Sequence, residues 1–222
     1  MTVEYFRRNA EYAGRWPREE VFSPSVCWYY LDGNLLIDIG APQGSAPKAD
    51  LHGLRPMVRH IFVEQGLNFL KNAPFKVFSN LESVTLSEKL EHINWHDFES
   101  CTALKRVTLP QKLTAIPSYA FYNCAALEEV NIPDSVTVFG SFAFSGCRSL
   151  KNLHIPARLK EINQFALSGC AAFEQGLLNF DHCPDLVSIP TPGRNLPDDD
   201  SYEGDDDDYY FFGDAWLDLT EE

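Results

Sequence analysis

Cysteine recurs at a fixed interval in this chain: Cys101, Cys124, Cys147 and Cys170 are each 23 residues apart. Other positions keep the same step. Leu81, Leu104, Leu127 and Leu150 form one apolar column, and Val84, Val107, Val130 and Leu153 a second. Leu86, Leu109, Ile132 and Ile155 form a third. Leu90, Leu113, Val136 and Leu159 follow, then Ile93, Ile116, Phe139 and Ile162, then Phe98, Phe121, Phe144 and Leu167. Pro110, Pro133 and Pro156 close each segment of alternating apolar residues. One step earlier the pattern fades to Val58, Ile61, Val63, Leu67, Leu70 and Phe75, and after Cys170 it breaks. A shortened echo, CPDLVSIP, runs from Cys183 to Pro190.

A chain with such a period stacks one supersecondary unit on the next, because a single unit cannot bury its own apolar face. The unit here is L-x-x-V-x-L-P, an apolar arc, then A-F-x-x-C. Alternation in L-x-x-V-x-L predicts a short strand with one buried face. The proline after it has no N–H to give to a ladder and ends the strand. Asn94, Gly140 and Asn163, which follow the Ile/Phe column, are expected to take a left-handed backbone, and Pro117 departs from that pattern. The period and strand signature together predict a β-rich α/β-type repeat: a short leucine-rich repeat solenoid of about five to six coils with a parallel strand ladder.

Residues 127–147, LEEVNIPDSVTVFGSFAFSGC, resemble the BspA-like class of leucine-rich repeats almost position for position. Residues 28–40, WYYLDGNLLIDIG, are similar to the strand pair that begins many such proteins and seals the first coil. Gly33 and Asn34 are expected at the bend of this N-terminal β-hairpin cap. The resemblance implies a binding or surface-exposed solenoid and brings no catalytic residues with it.

Four regions follow. Residues 1–25 are an N-terminal segment with a short amphipathic helix expected over 3–15, Val3, Phe6, Ala10 and Ala13 on one side. Residues 26–57 are the hairpin cap and a loop, residues 58–190 the solenoid, and residues 191–222 a linker and acidic aromatic tail. Of 32 acidic residues, twelve fall between Asp198 and Glu222, where no basic residue occurs. The body that remains is nearly neutral, so no partnership with nucleic acid or an anionic membrane is expected. No apolar run is long enough for a transmembrane helix. The start of the chain lacks the apolar stretch of a secretory signal, which suggests the cytoplasm, or a secreted or cell-surface location if the chain is a fragment.

No cofactor or metal is expected. The cysteine spacing lacks the close pairs of zinc sites, and the column reads as free thiols packed as small hydrophobes. His92, His96 and Asp97 are read as surface polar residues rather than metal ligands. No Ser or Cys nucleophile has an identifiable His and acid partner, and no glycine-rich phosphate loop occurs, so no enzyme is expected. Asp199–Asp208 echoes a calcium loop but places Tyr210 where that loop needs a bidentate Glu.

Exposed strand positions carry more information. Arg59, Glu82, Lys105, Glu128 and Lys151 alternate in sign from coil to coil. Two readings stand: a ladder of opposite charges that helps strands pair, and a face that binds a partner. The neighbouring columns, His60, Ser83, Arg106, Glu129, Asn152 and Phe62, Thr85, Thr108, Asn131, His154, are polar apart from Phe62. The tail adds Tyr209, Tyr210, Phe211, Phe212 and Trp216 among its acids. It reads as a segment that docks in cis or on a basic partner, as simple solvating chain, or as a DNA mimic. The expected function is non-catalytic binding of another protein through Lys105, Arg106, Glu128, Glu129, Lys151 and His154 on the strand face, through the tail, or both. The alternative is a secreted or cell-surface adhesive fragment.

Overall fold

The structure is a computed structural model that describes residues 3–15, 26–39, 51–64 and 75–187. Leu67, Leu70, the first part of the loop between cap and solenoid, the linker and the acidic tail lie outside the described residues.

The stack consists of five coils of 23 residues, here numbered I (56–78), II (79–101), III (102–124), IV (125–147) and V (148–170). Each contributes one short strand: β4 (His60–Val63), β5 (Ser83–Thr85), β6 (Arg106–Thr108), β8 (Glu129–Asn131) and β10 (Asn152–Leu153). These pair parallel with a constant offset, as in Ser83↔Arg106↔Glu129↔Asn152. On the other side of coils III, IV and V run β7 (Ala115–Ile116), β9 (Val138–Phe139) and β11 (Glu161–Ile162), a second parallel ladder. All the apolar columns from Leu81 to Leu167 point inward and are buried. Burying a large apolar side chain stabilises by about 1.5–3 kcal/mol, and here each one meets its counterpart in the next coil. Phe75, Phe98, Phe121 and Phe144 stack face to face with centroids 4.7, 5.0 and 5.3 Å apart.

The left-handed positions differ from the sequence expectation. Asn94, Gly140 and Asn163 do not have positive φ; the left-handed residues are His96, Tyr119, Phe142 and Phe165, with φ of 60, 58, 57 and 55°, and then Ser100, Asn123, Gly146 and Gly169. This arm of each coil is tied to the next by N–H groups: Tyr119 donates to Ser141 O, Phe121 to Ala143 O and Asn123 to Ser145 O at 2.8–2.9 Å. Aromatic residues at positive φ cost about 1–3 kcal/mol each. Their rings form a second stack, His96–Tyr119 at 4.8 Å, Tyr119–Phe142 at 4.9 Å and Phe142–Phe165 at 5.2 Å. Gly140 is small for another reason: a Cβ there would come within 2.4 Å of the Ser118 nitrogen.

The first coil is capped by three strands in front of it. β2 (Val26–Leu31) and β3 (Asn34–Ile39) form the antiparallel hairpin, and β3 pairs parallel to β4. The bend falls one residue earlier than expected, at Asp32 (φ 46°) and Gly33 (φ 76°). Left-handed backbone at both central residues is what a tight hairpin turn requires. Asn34 instead opens β3 and its side-chain amide donates to Leu31 O and Asp32 O. The N-terminal helix α1 covers only Val3–Asn9. Ala13 belongs to β1 (Tyr12–Arg15), because Glu11 N–H is captured by Tyr30 O and the chain then pairs antiparallel with β2. The expected loop before the solenoid ends in a short helix, α2 (Leu51–Leu54), followed by one 3-10 turn at Arg55–Met57. Leu51 and Leu54, three apart, both bury there.

At the far end α3 (Ala171–Glu174) replaces a sixth strand, with Ala172 N–H bonded to Leu150 O. Of the echo CPDLVSIP, residues 183–187 are described, and Val187 reaches the second ladder. Lys160 N–H donates to Thr137 O, and Val187 N–H donates to Lys160 O at 3.0 Å, which sets Leu186 and Val187 on Leu159 and Lys160.

All six cysteines are buried free thiols. Cys124 Sγ donates to Phe98 O at 3.0 Å and Cys147 Sγ to Phe121 O at 3.2 Å. Burial pushes the Cys101 thiol up to about 12, and Cys124 and Cys147 well above the usual thiol range. At pH 8 the folded protein should react with an aromatic disulfide reagent at least about 100-fold more slowly than the unfolded chain; fast labelling of the native state would contradict the packing of the column.

Asp97 corrects the surface reading. It stands where coils III, IV and V have Ala120, Ala143 and Ala166, and it is only 3% exposed. Its carboxylate accepts from Asn94 N–H at 2.8 Å and from the Asn94 amide at 3.2 Å. Desolvation nevertheless pushes its pKa up to about 8. The neutral acid is the form that suits this site, so its contribution is complete below the ordinary carboxylate range and is lost as pH rises toward 8. Asp97→Asn should therefore match the parent at pH 4 and be more stable at pH 9, by on the order of a few kcal/mol. Urea midpoints across that range test it; a parent–variant difference that stays flat with pH would refute it.

Candidate binding surface

Strand alternation sorts each coil into an inward and an outward set. Val84, Val107, Val130 and Leu153 face the core, and their neighbours on either side face out. Lys105 precedes β6 and Arg106 begins it; Glu128 precedes β8 and Glu129 begins it; Lys151 precedes β10 and His154 follows it. Rungs of such a ladder lie about 4.8 Å apart, so these six side chains share one surface.

The charge ladder is realised over its first three members. Glu82 receives Arg59 at 3.3 Å and Lys105 at 3.0 Å. The hydrogen bond from Lys105, with the charges of both cations, holds the Glu82 carboxyl below its usual range. Beyond Lys105 the ladder opens. Arg106, Glu128, Glu129 and Lys151 are exposed and enter no ion pair among the described residues. His154 Nε2 lies 2.9 Å from the Asp134 carboxylate, an exposed pair that is ionic only when the ring is protonated. His60 Nδ1 and Ser83 Oγ, on adjacent strands, are 2.8 Å apart.

One end of this surface is covered. Phe62, the aromatic residue of the exposed columns, packs beneath α1 with its ring 5.9 Å from Phe6. Phe6, Ala13, Cys27, Tyr29 and Leu36 form a second small core on the outward side of the sheet. Arg7 fastens the helix there: its Nη2 lies 2.7 Å from the Asp38 carboxylate, which is buried. The hydrogen bond that Arg7 donates to Asp38 raises the Arg7 pKa. The sequence points to α1 but not to this docking, since the pairing of β1 with β2 that delivers Ala13 has no local signature.

The remaining candidates separate. His92 is exposed, and His96 is half-buried against Tyr119 with Nδ1 3.3 Å from Glu99. Among the described residues no group of three His, Cys, Asp or Glu could hold a metal ion, and no helix is long and apolar enough to cross a membrane. Tyr209, Tyr210, Phe211, Phe212 and Trp216 lie outside the described residues. The aromatic column His96, Tyr119, Phe142 and Phe165 has a 23-residue step as regular as that of the cysteines, and that step is the signal in the sequence that marks it.

No curated protein matches the chain in sequence. Among solved structures it is similar to the Treponema pallidum leucine-rich repeat protein, at 22% identity over 81% of this chain and 72% of that one, with a TM-score of 0.45. A leucine-rich repeat protein from Bacteroides ovatus is 18% identical over 76% of this chain and 46% of its own, TM-score 0.49. A leucine rich cell surface protein from Faecalibacterium prausnitzii is 20% identical over 68% of this chain and 52% of its own, TM-score 0.43. The sequence model of the BspA type leucine rich repeat region matches six copies over residues 60–190. That span is more than half of the chain, and the protein belongs to the BspA-type leucine-rich repeat family.

Proposed function

We propose that this protein binds another protein, without catalysing a reaction, through the strand face from β5 to β10. The observation that carries the reading is the contrast along that face. Its first part lies under α1, and its ion-pair ladder ends at Lys105, yet Arg106, Glu128, Glu129 and Lys151 remain exposed beyond it. These charges sit on a ladder whose backbone is held on both sides, so binding costs little ordering of the main chain. Adjacent positive and negative rows suit a partner with the opposite rows, and such complementarity sets specificity and association rate more than raw affinity.

The acidic aromatic tail is the second contact in this proposal. Its twelve acids would draw a basic surface, and its rings supply apolar anchors. The six free thiols suit a reducing compartment, which supports the cytoplasm as the place of action.

The test uses three baits in the source cell's lysate: the full chain, the variant Arg106→Ala/Glu128→Ala/Glu129→Ala, and a chain ending at residue 197. A captured partner is then purified and titrated directly. The triple variant should bind at least about 10-fold more weakly while still melting cooperatively, and binding by the full chain should weaken as salt rises. Loss of binding only with the tail removed would move the site to residues 198–222 and overturn the strand-face assignment.

A further inference from the structure

The formal charge of the solenoid changes sign from each coil to the next. Coil I is +2, from Arg59, Lys71 and Lys76 against Glu64. Coil II is −3, from Glu82, Glu88, Glu91 and Glu99 against Lys89, with the buried Asp97 left out as the neutral acid. Coil III is +3, with Lys105, Arg106 and Lys112 and no acid; coil IV is −3, with Glu128, Glu129 and Asp134 and no base. Coil V is +3, from Arg148, Lys151, Arg158 and Lys160 against Glu161. Residues 171–187 are −3, from Glu174, Asp181 and Asp185.

Contacts follow the same rule. Arg59–Glu82 at 3.3 Å and Lys76–Glu99 at 3.2 Å join coils I and II. Lys105–Glu82 at 3.0 Å and Lys112–Glu91 at 3.7 Å join coils III and II. His154–Asp134 joins V and IV. Each of these five pairs joins neighbouring coils of opposite sign.

The apolar columns do not distinguish one coil from another. A shift of 23 residues sets Leu104 where Leu81 was, Phe121 where Phe98 was and Cys124 where Cys101 was. Every apolar column survives such a slip, and apart from Asp97 in the alanine column and Gly140 against Ser118 only the surface changes. Looping out one coil would bring coil II against coil IV, two acidic layers about 4.8 Å apart. We infer that the alternating charge of whole coils fixes the stacking register of this solenoid, in one chain and between chains, by setting like against like in any one-coil slip. A two-coil slip preserves the alternation and is not opposed by it.

Two deletions in the full chain separate charge from core. Removing residues 102–124 places coil II on coil IV; removing residues 102–147 places coil II on coil V. In 20 mM salt the larger deletion should melt higher than the smaller one, by about 5 °C, although it has lost one more coil of core. In 1 M NaCl, where screening acts within about 3 Å, the order should reverse. A smaller deletion that melts at or above the larger one in low salt overturns the inference. If neither deletion folds, Glu128→Lys/Glu129→Lys/Asp134→Lys decides. This variant moves the net charge of −14 toward zero, which by itself relieves repulsion. Alternation instead requires a lower melting temperature in low salt and recovery in 1 M NaCl, and an unchanged or raised value overturns it.

Discussion

Everything in this structure depends on like side chains stacking on like at the rise of a β-ladder. Phe98 touches Phe75 on one side and Phe121 on the other, with centroids 4.7 and 5.0 Å away. No residue of a middle coil is buried by its own coil alone. The same dependence explains the strained arm. A lone tyrosine at φ 58° would relax, costing as it does about 1–3 kcal/mol. Within the stack, Tyr119 is held by rings on both sides and by its N–H on Ser141 O. A ring pair adds about 0.5–1.5 kcal/mol and a hydrogen bond a similar amount, so the strain is offset only while neighbours are present. The arm is thus a property of the stack, not of the coil.

Legibility in the sequence follows from what each feature depends on. The columns from Leu81 to Leu167 depend only on period and hydrophobicity, and all of them are buried as the spacing predicts. The left-handed residues depend on the path of the chain through a turn. Asn94, Gly140 and Asn163 have the side chains that tolerate such a backbone, but Gly140 serves close approach to Ser118 instead. The residues that do adopt it, Tyr119 and Phe142 among them, are types that avoid it in isolation. Asp97 sits in an alanine column, so its burial was written in the repeat but masked by its chemistry. The strand face was legible as a set of outward positions. What the sequence could not show is which of their charges find partners, because Glu82 reaches both Arg59 and Lys105 and leaves nothing comparable for Glu128.

An open stack has two ends, and each exposes ladder groups that invite further pairing. The two ends meet this differently. At the first coil the chain adds an antiparallel hairpin and a third strand, β1, and then lays α1 across the outward face. The cap therefore acts on two sides of the sheet at once: Trp28 and Ile37 extend the main core, while Tyr29 and Leu36 build the second. At the last coil a one-turn helix takes the Leu150 carbonyl just ahead of β10, and His182 and Cys183 take those of Ile155 and Pro156 just after it.

This division assigns different work to the two sides of every strand. The inward residues are nearly the same in all coils, since any change disturbs the coil before and the coil after. The outward residues carry no such duty, and apart from the buried Asp97 of coil II they are what makes one coil unlike another. They hold both the register information, in the sign of the charges, and the recognition information, in which charges stay unpaired. The two demands compete. A charge spent on a neighbouring coil, as in Lys105–Glu82, is partly neutralised toward a partner, whereas Arg106 and Glu129, in register on adjacent strands yet outside any ion pair among the described residues, remain available to one. Register then rests on the net sign of each coil, and recognition on those charges that no neighbouring coil has taken.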